Sequence, residues 1–209
     1  MQPLIKEVYD SIINGDQHVA ASKTTEALNT GIEAGGLLQE GMIAAMAEVG
    51  RLFEAGEYYI PEMLIAARAM QACLAVIKPS LVQGKYKPAG KVAIGTVKGD
   101  LHDIGKNLVA IMLEGAGFEI HDLGTDVPAE NFVTIAEAAD IIAISALLTT
   151  TMANMKAVIE NLQQAGKRDR VKVMIGGAPI TGTYAQQIGA DGYAPDASRA
   201  VALARSLLA

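Results

Sequence analysis

The fold is decided by the stretch VAIGTVKGDLHDIGK, which occupies residues 92–106. Its first six residues form an apolar run rich in β-branched side chains, and such a run predicts a buried strand. A polar loop flanked by glycines follows, and the segment 107–114 predicts the start of a helix. Sheets of the α/β class bind ligands in loops of this kind, between the end of a strand and the next helix. The stretch therefore predicts an α/β sheet with a ligand site in the loop.

Asp100 and His102 are two positions apart in this loop, so their side chains can reach each other. A carboxylate that accepts a hydrogen bond from one ring nitrogen fixes the histidine tautomer and leaves the other nitrogen free to bind a metal. Gly105 adds a position where a ligand can approach the backbone closely. The spacing thus indicates a metal or ligand site centred on His102.

The composition predicts a soluble cytoplasmic protein. Of the 209 residues, 51% are hydrophobic, enough for one large domain or two small ones. Polar residues interrupt the apolar runs before the ~18 positions that a membrane span needs, and the N-terminus does not resemble a signal peptide. The single cysteine, Cys73, rules out an intrachain disulfide, and the net charge of −6 gives no basic surface for nucleic acid.

Residues 1–85 are predicted to form an all-α domain, a bundle of four helices. Apolar residues recur at helical spacing in each helix, Asp16 is expected to cap the second helix, and Pro61 fits the first turn of the fourth. A linker is predicted next, marked by Pro79, Gly84, Lys85, Lys87, Pro88 and Gly90.

Residues 86–209 are predicted to form an α/β domain with a five-stranded parallel sheet. Apolar runs at 92–97, 118–123, 141–147, 171–175 and 192–194 alternate with helical stretches. This alternation implies a parallel sheet covered on both faces, and the flavodoxin-like doubly wound order is the natural choice for this length.

Further polar and small residues follow the other predicted strands. Ser145, Thr149 and Thr151 come after the third strand, and their hydroxyls can bind a buried polar ligand. Gly176 and Gly177 come after the fourth, where they let a flat group lie against the backbone or simply turn the chain. All of these loops are expected at the carboxyl edge of the sheet, where ligands bind.

The pattern Asp-x-His-x-x-Gly, here Asp100, His102 and Gly105, resembles the signature of cobalamin-binding domains. The resemblance implies that His102 binds cobalt in place of the cofactor's own benzimidazole. It extends to Ser-x-Leu, here Ser145 and Leu147, and to Gly-Gly after the fourth strand. The implied cofactor contacts in this domain are Gly99, Asp100, Leu101, His102, Asp103, Ile104, Gly105, Ser145, Leu147, Thr149, Thr151, Gly176, Gly177 and Ala197.

Roles within this set also follow from the resemblance. Ser145 and Thr149 correspond to family residues that contact the benzimidazole, and Ala197 corresponds to one that lines the nucleotide site. Thr151 corresponds to the hydroxyl that completes a relay with the aspartate and histidine; the best-known member has serine there. Zinc is a poor alternative, since the three histidines and Cys73 have no spacing that assembles three or four ligands.

The helical half resembles the four-helix cap of cobalamin-dependent methyltransferases and their small corrinoid proteins. The resemblance rests on the stretches VGRLF at 49–53 and GEYYIPEM at 56–63. It implies that Phe53, Tyr59, Ile60 and Met63 cover the methyl-bearing face of the corrin, with Glu40 near the cofactor. The chain as a whole is most similar to methyltransferase cognate corrinoid proteins.

This resemblance implies a non-catalytic methyl carrier that cycles between cobalt(I) and methylcobalt(III). Its expected partners are a substrate-specific methyltransferase, an acceptor methyltransferase using tetrahydrofolate or a thiol, and a reductive activase. The methyl donor stays open among methanol, methylamines, betaines and phenyl methyl ethers. Two alternatives remain: a cobalamin-dependent sensor, although residues 1–80 leave no room for a DNA-binding domain, and a cobalamin-binding subunit of an adenosylcobalamin mutase.

Overall fold

The structure, a computed structural model, describes residues 1–83 and 87–209. The chain divides into two compact units, and we name them the helical unit (Met1–Lys87 with Gly115–Gly117) and the sheet unit (Pro88–Glu114 with Phe118–Ala209). The predicted linker residues Gly84 and Lys85, and with them the predicted domain boundary after residue 85, lie outside the described residues.

The described part of the helical unit consists of helices. They are α1 (Pro3–Ile13), α2 (Gln17–Asn29), α3 (Ala34–Gly36), a π-helical segment (Leu37–Ile43), α4 (Ala44–Glu54) and α5 (Ile60–Gln83). The carboxylate of Asp16 accepts a hydrogen bond from the Val19 N–H at 3.0 Å, so Asp16 caps α2 as predicted. The predicted third helix spans α3, the π-helical segment and α4, and the prediction of a helical N-terminal domain is confirmed.

Helix α5 continues through Pro79, which the sequence analysis placed in the linker. That placement was wrong, and the burial pattern of the helix explains why the proline is tolerated. Proline removes the hydrogen bond to the carbonyl four residues earlier, at Ala75. Both residues lie on the exposed side of α5, where water can pair the released carbonyl.

The segment Ile60–Leu81 of α5 is long and apolar enough to cross a membrane by length and composition alone. Its buried positions include Met63, Met70 and Ile77, and the buried side chains recur every three or four residues along the helix. This recurrence is typical of a helix that packs one face into a protein core, and it favours that interpretation of α5.

The sheet unit contains a five-stranded parallel sheet in the order β2-β1-β3-β4-β5. The strands are β1 (Lys91–Thr96), β2 (Glu119–Asp122), β3 (Ile141–Ser145), β4 (Lys172–Gly176) and β5 (Gly192–Tyr193). The helices between and after them are α6 (Ile104–Gly115), α7 (Ala129–Ile135), α8 (Ala153–Gln164), α9 (Gly182–Ile188) and α10 (Ala197–Leu208), with a short 3₁₀ turn at Arg168–Arg170. This order confirms the predicted flavodoxin-like doubly wound fold.

The strand order brings together two loops that are distant in the sequence. β1 and β3 are neighbours, and Thr96 at the end of β1 pairs with Ser145 at the end of β3. The segments that follow β1 and β3 therefore leave the sheet side by side, at the point where the strand order reverses. Ligands of doubly wound sheets bind at this switch point.

Candidate functional site

Asp100 lies in the loop after β1 and is completely buried. One carboxylate oxygen, Oδ1, accepts hydrogen bonds from the His102 ring at Nδ1 (2.7 Å) and from the His102 backbone N–H (3.1 Å). The other, Oδ2, accepts from the backbone N–H of Leu147 (2.8 Å), the N–H of Leu148 (3.1 Å) and the Thr151 hydroxyl (2.7 Å). This one carboxylate thus joins the loop after β1 to the loop after β3.

These hydrogen bonds keep Asp100 ionised. Burial by itself raises the pKa of the Asp100 carboxyl, because it removes the charged form from water. The hydrogen bonds from Leu147, Thr151 and His102 act in the opposite direction and outweigh it, so the pKa of Asp100 lies well below its ordinary range. The site therefore contains a buried negative charge that is stabilised by protein donors.

His102 is held by one ring nitrogen and open at the other. Its side chain is 48% exposed, while the Asp100 side chain that it contacts is 0% exposed. Because the ionised carboxylate can only accept, we assign the proton to Nδ1, which leaves a lone pair on Nε2. The Thr96 hydroxyl also donates to the His102 carbonyl oxygen at 2.9 Å. The structure thus shows the predicted contact of Asp100 and His102, with the Thr151 hydroxyl on the same carboxylate.

Large aliphatic side chains in the same two loops are exposed. Leu101 and Ile104, on either side of His102, are 74% and 77% exposed, and Leu147 and Leu148 after β3 are 42% and 41% exposed. Exposed apolar side chains that cluster in adjoining loops are typical of a surface that an apolar ligand or partner covers.

Several other predicted residues of the sheet unit lie between β1 and the first turn of α6 or around the end of β3. Gly99 has a φ of +81°, and a Cβ at Gly105 would meet open space. Asp103 accepts a hydrogen bond from the Asn107 side chain at the start of α6. Ser145 is half-buried and Thr149 is exposed.

Gly176, the last residue of β4, and Gly177, which follows it, both lie against the protein's own backbone. At a φ of +133°, a Cβ on Gly177 would overlap the carbonyl oxygen of Ala146. A Cβ on Gly176 would lie 3.1 Å from the carbonyl oxygen of Ala194. Glycine is therefore required at 177 for backbone packing, whatever else the site binds. Ala197 is buried at the start of α10, which Asp196 caps.

The five predicted cap residues lie in the helical unit. Glu40 is exposed on the π-helical segment, and Phe53 is half-buried near the end of α4. Tyr59 is 65% exposed and Ile60 is 44% exposed at the start of α5, whereas Met63 has no exposed surface. Their role toward a cofactor stays a prediction.

Sequence reasoning missed residues that hold the Asp100 loop in place. The Asp126 carboxylate accepts a hydrogen bond from the Gly99 N–H at 2.7 Å, and the Asn154 amide donates to the Lys98 carbonyl at 2.7 Å. The buried Lys106 ammonium contacts Asp122. Only the composition of the DLGTD segment at 122–126, two carboxylates around a glycine, could have signalled such a role.

This donor set fits a cofactor that brings most of its own metal ligands. Within residues 1–83 and 87–209, no three His, Cys, Asp or Glu side chains come together as a metal site. One oriented imidazole with a free Nε2 suits a metal whose macrocycle fills the equatorial positions and leaves an axial one. The neighbouring aliphatic side chains suit the edge of such a macrocycle.

Comparison with known protein families assigns both parts of the chain. Residues 90–202 match a family described as B12 binding domain, and residues 4–78 match a second family with the same description.

Individual proteins are similar over almost the full length. The dimethylamine corrinoid protein 2 of Methanosarcina acetivorans is 44% identical, covering 99% of this chain and 97% of that protein. The trimethylamine corrinoid protein 1 of the same organism is 45% identical, covering 99% and 98%. A chain of the methanol:cobalamin methyltransferase complex of Methanosarcina barkeri has a TM-score of 0.88 at 28% identity, covering 98% of this chain and 79% of that one.

Proposed function

This chain belongs to the family of B12-binding corrinoid proteins, and on that premise we propose that it carries methyl groups between methyltransferases on a bound corrinoid. When bound, the corrinoid supplies the methyl-transfer chemistry through its cobalt. The observation that carries the proposal is His102, a half-exposed imidazole that a buried carboxylate orients between exposed aliphatic side chains.

The protein's own part begins with the axial ligand. Nε2 of His102 would bind the metal, because Nδ1 is engaged with Asp100 at 2.7 Å. The Asp100 carboxylate fixes the ring plane of the imidazole and leaves Nε2 free for the metal. Asp100 itself is held by the Leu147 N–H, the Leu148 N–H and the Thr151 hydroxyl, so the ligand is preorganised before the cofactor arrives.

Thr151 adds a hydroxyl donor to the carboxylate that orients His102. Its hydroxyl lies 2.7 Å from Asp100 Oδ2 and 2.9 Å from the Leu148 carbonyl oxygen. Asp100 is thus hydrogen-bonded to a hydroxyl on one oxygen and to the imidazole on the other. With a corrinoid bound, the hydroxyl, the carboxylate and the imidazole would form a hydrogen-bonded relay that can hold a proton at the His102–Asp100 pair.

The strand ends after β3 and β4 would receive the detached nucleotide tail of the cofactor. Ser145 and Thr149 offer hydroxyls, and Gly176 presents its backbone without a side chain. Ala197 would line the same site at the start of α10.

We assign Phe53, Tyr59, Ile60 and Met63 of the helical unit to shielding the methyl group of a bound corrinoid. Tyr59 and Ile60 are the most exposed of the four, so we expect these two side chains to provide most of the shielding. Replacing Phe53 and Tyr59 with Ala should leave corrinoid binding within about threefold while photolysis of the methylated cofactor becomes faster, as measured by absorbance under illumination. Loss of corrinoid binding in a folded variant would contradict the assignment.

The proposed donor class is methylated amines, because the similar corrinoid proteins at 44–45% identity are named for dimethylamine and trimethylamine. The proposed partners are an amine-specific methyltransferase, an acceptor methyltransferase that uses tetrahydrofolate or a thiol, and a reductive activase. The proposed compartment is the cytoplasm.

The test uses the protein loaded with cobalamin and reduced, and it monitors methylation of the cofactor by absorbance. Dimethylamine, trimethylamine, monomethylamine and methanol are each added alone and then with a methyltransferase specific for that donor. We expect methylation with an amine and its methyltransferase, and none with any donor alone.

Each other outcome contradicts a distinct part of the proposal. Methylation by a donor alone would refute the carrier role, since the protein would then turn over substrate by itself. Methylation only with methanol and its methyltransferase would refute the amine assignment. A His102→Ala variant, loaded in the same way, controls for corrinoid that binds without its axial ligand.

A further inference from the structure

Asp126 has the one left-handed non-glycine backbone among the residues that the structure describes, with a φ of +53°. It lies between β2 and α7, in a loop that runs beside the Asp100 loop. Aspartate tolerates this conformation better than most residues, but it still costs free energy. Such a conformation persists where surrounding contacts hold it.

Two hydrogen bonds hold Asp126 against the Asp100 loop. Its carboxylate Oδ1 accepts from the Gly99 N–H at 2.7 Å. Its own N–H donates to the Asp100 carbonyl oxygen at 3.0 Å. Asp126 therefore contacts two consecutive residues of the loop, the second of them two positions before the motif histidine.

Asp126 contacts this loop at Gly99. Gly99, at a φ of +81°, has no side chain to restrict its backbone, so its torsion angles decide where Asp100 begins. Other contacts fix the two flanks: Asn154 holds the Lys98 carbonyl, and Thr96 holds the His102 carbonyl. Between them, the Val97 carbonyl accepts from the Asp100 N–H at 3.1 Å, and Asp126 holds the Gly99 N–H and the Asp100 carbonyl.

We propose that Asp126 is a positioning residue for the axial histidine: by fixing the Gly99–Asp100 backbone, its carboxylate places Asp100 under Nδ1 of His102. This inference rests on the proposed function, because it concerns the ligand that the corrinoid would receive. A small displacement of Asp100 would lengthen its 2.7 Å contact with the imidazole and free the ring to rotate.

Asp140 offers a matched control. It makes the same pair of contacts at the opposite end of β1: its carboxylate accepts from the Lys91 N–H at 2.8 Å, and its own N–H donates to the Lys91 carbonyl at 2.9 Å. Asp140→Gly therefore removes the same kind of hydrogen bond from the same unit, far along the strand from His102.

The experiment compares the full-length Asp126→Gly, Asp126→Asn and Asp140→Gly variants with wild type. Glycine keeps the left-handed backbone and removes the carboxylate, whereas asparagine keeps an oxygen acceptor. One readout is amide hydrogen exchange of Gly99 by NMR without cofactor. The second is electron paramagnetic resonance of the cobalt(II) form, loaded with cobalamin and labelled with nitrogen-15 histidine, which reports imidazole on the metal.

We expect Asp126→Gly to speed Gly99 exchange at least tenfold and to lower the share of imidazole-coupled cobalt at least twofold. Asp126→Asn should retain most of the coupling. Asp140→Gly should speed exchange at Lys91 and leave the coupling unchanged.

Three results would overturn the proposal. Wild-type coupling in Asp126→Gly means that the carboxylate does not position the ligand, and an equal loss in Asp140→Gly means that the effect is general loosening of the unit. Wild-type protein without histidine coupling would contradict the proposed axial ligand as well, which separates that failure from one confined to the variant.

Discussion

Two side-chain pairs of the sheet unit each join a buried ionised group to a more exposed partner, with the acid buried in one pair and the base buried in the other. In the first, the carboxylate of Asp100 is buried at 0% exposure and its partner His102 is 48% exposed. In the second, the ammonium of Lys106 is buried at 2% exposure and its partner Asp122 is 44% exposed. The two buried members lie six residues apart: Asp100 opens the Asp-x-His-x-x-Gly motif, and Lys106 follows its last glycine.

The pairs differ in how much the buried charge depends on its exposed partner. Asp100 accepts hydrogen bonds from Leu147, Leu148 and Thr151 besides His102, so it stays solvated by protein when the imidazole moves. Lys106 has both carboxylate oxygens of Asp122 at 2.6 Å as its counter-charge. His102 can therefore bind a ligand without leaving a buried charge unpaired, whereas Asp122 is needed to stabilise the folded protein.

The largest loss of folding stability should come from removing Asp122, the partner of the buried Lys106. Asp122→Ala leaves the Lys106 ammonium buried without a counter-charge, and we expect unfolding to become easier by about 3 to 5 kcal/mol in urea titrations. The double variant with Lys106→Met should recover most of this loss, because it removes the stranded charge. A loss below about 1 kcal/mol would show that water reaches Lys106 and that the pair is not structural.

The next effect is expected at the buried carboxylate. Asp100→Asn removes the charge and turns part of the acceptor into a donor that faces other donors, so we expect a loss of about 2 to 4 kcal/mol. Unfolding of the cofactor-free protein in urea at neutral pH measures it. Asp103→Asn, an exposed carboxylate in the same loop, is the control and should stay within about 0.5 kcal/mol. Equal losses of unfolding free energy in Asp100→Asn and Asp103→Asn would show that burial of the Asp100 carboxylate does not matter to stability.

Cys73 extends the comparison to a buried ionisable group in the helical unit. Burial raises the pKa of its thiol from 9.0 to about 11, despite a hydrogen bond from Thr24 that lowers it. Since the folded pKa is above the unfolded one, the stabilisation is complete below about pH 9 and is lost as pH rises toward 11. Between about pH 9 and 11, the unfolding free energy of wild type, measured in urea, should fall by about 2 to 3 kcal/mol relative to that of Cys73→Ala. A constant difference between the two proteins would contradict the raised pKa.

The smallest effect on stability is expected at His102. His102→Ala should change the unfolding free energy of the cofactor-free protein by less than about 1 kcal/mol, because the pair is half-exposed and Asp100 keeps its other donors. The same variant should bind cobalamin at least tenfold more weakly in equilibrium dialysis. If His102→Ala unfolds much more easily than wild type, His102 stabilises the folded protein as Asp122 does, and the distinction between the two pairs is contradicted.

Much of the fold could be predicted because local patterns carry it. Helical spacing and the Asp16 cap defined the N-terminal helices, and apolar runs broken by glycine defined the strands. The error at Pro79 shows the limit of local rules: a proline ends a helix only where its missing hydrogen bond cannot be replaced, and the exposed side of α5 allows replacement by water.

The Asp100–His102 contact was predictable because two residues two positions apart need no tertiary information to meet. The contacts of Asp122 with Lys106 and of Asp126 with Gly99 span 16 and 27 residues. They exist because β2 pairs with β1, which places the loop after one strand beside the loop after the other. A charged residue in a predicted loop offers no sign of such a partner until the strand order is known.

The sequence by itself determined the alternation of elements, the histidine and the carboxylate beside it, because spacing and residue type suffice for these. Only the tertiary structure decided that Asp100 is a buried, ionised acceptor. Two of its donors are the backbone N–H groups of Leu147 and Leu148, 47 and 48 residues away. Every residue except proline carries such a donor, so no side-chain pattern marks it, and only the pairing of β1 with β3 brings it to the carboxylate.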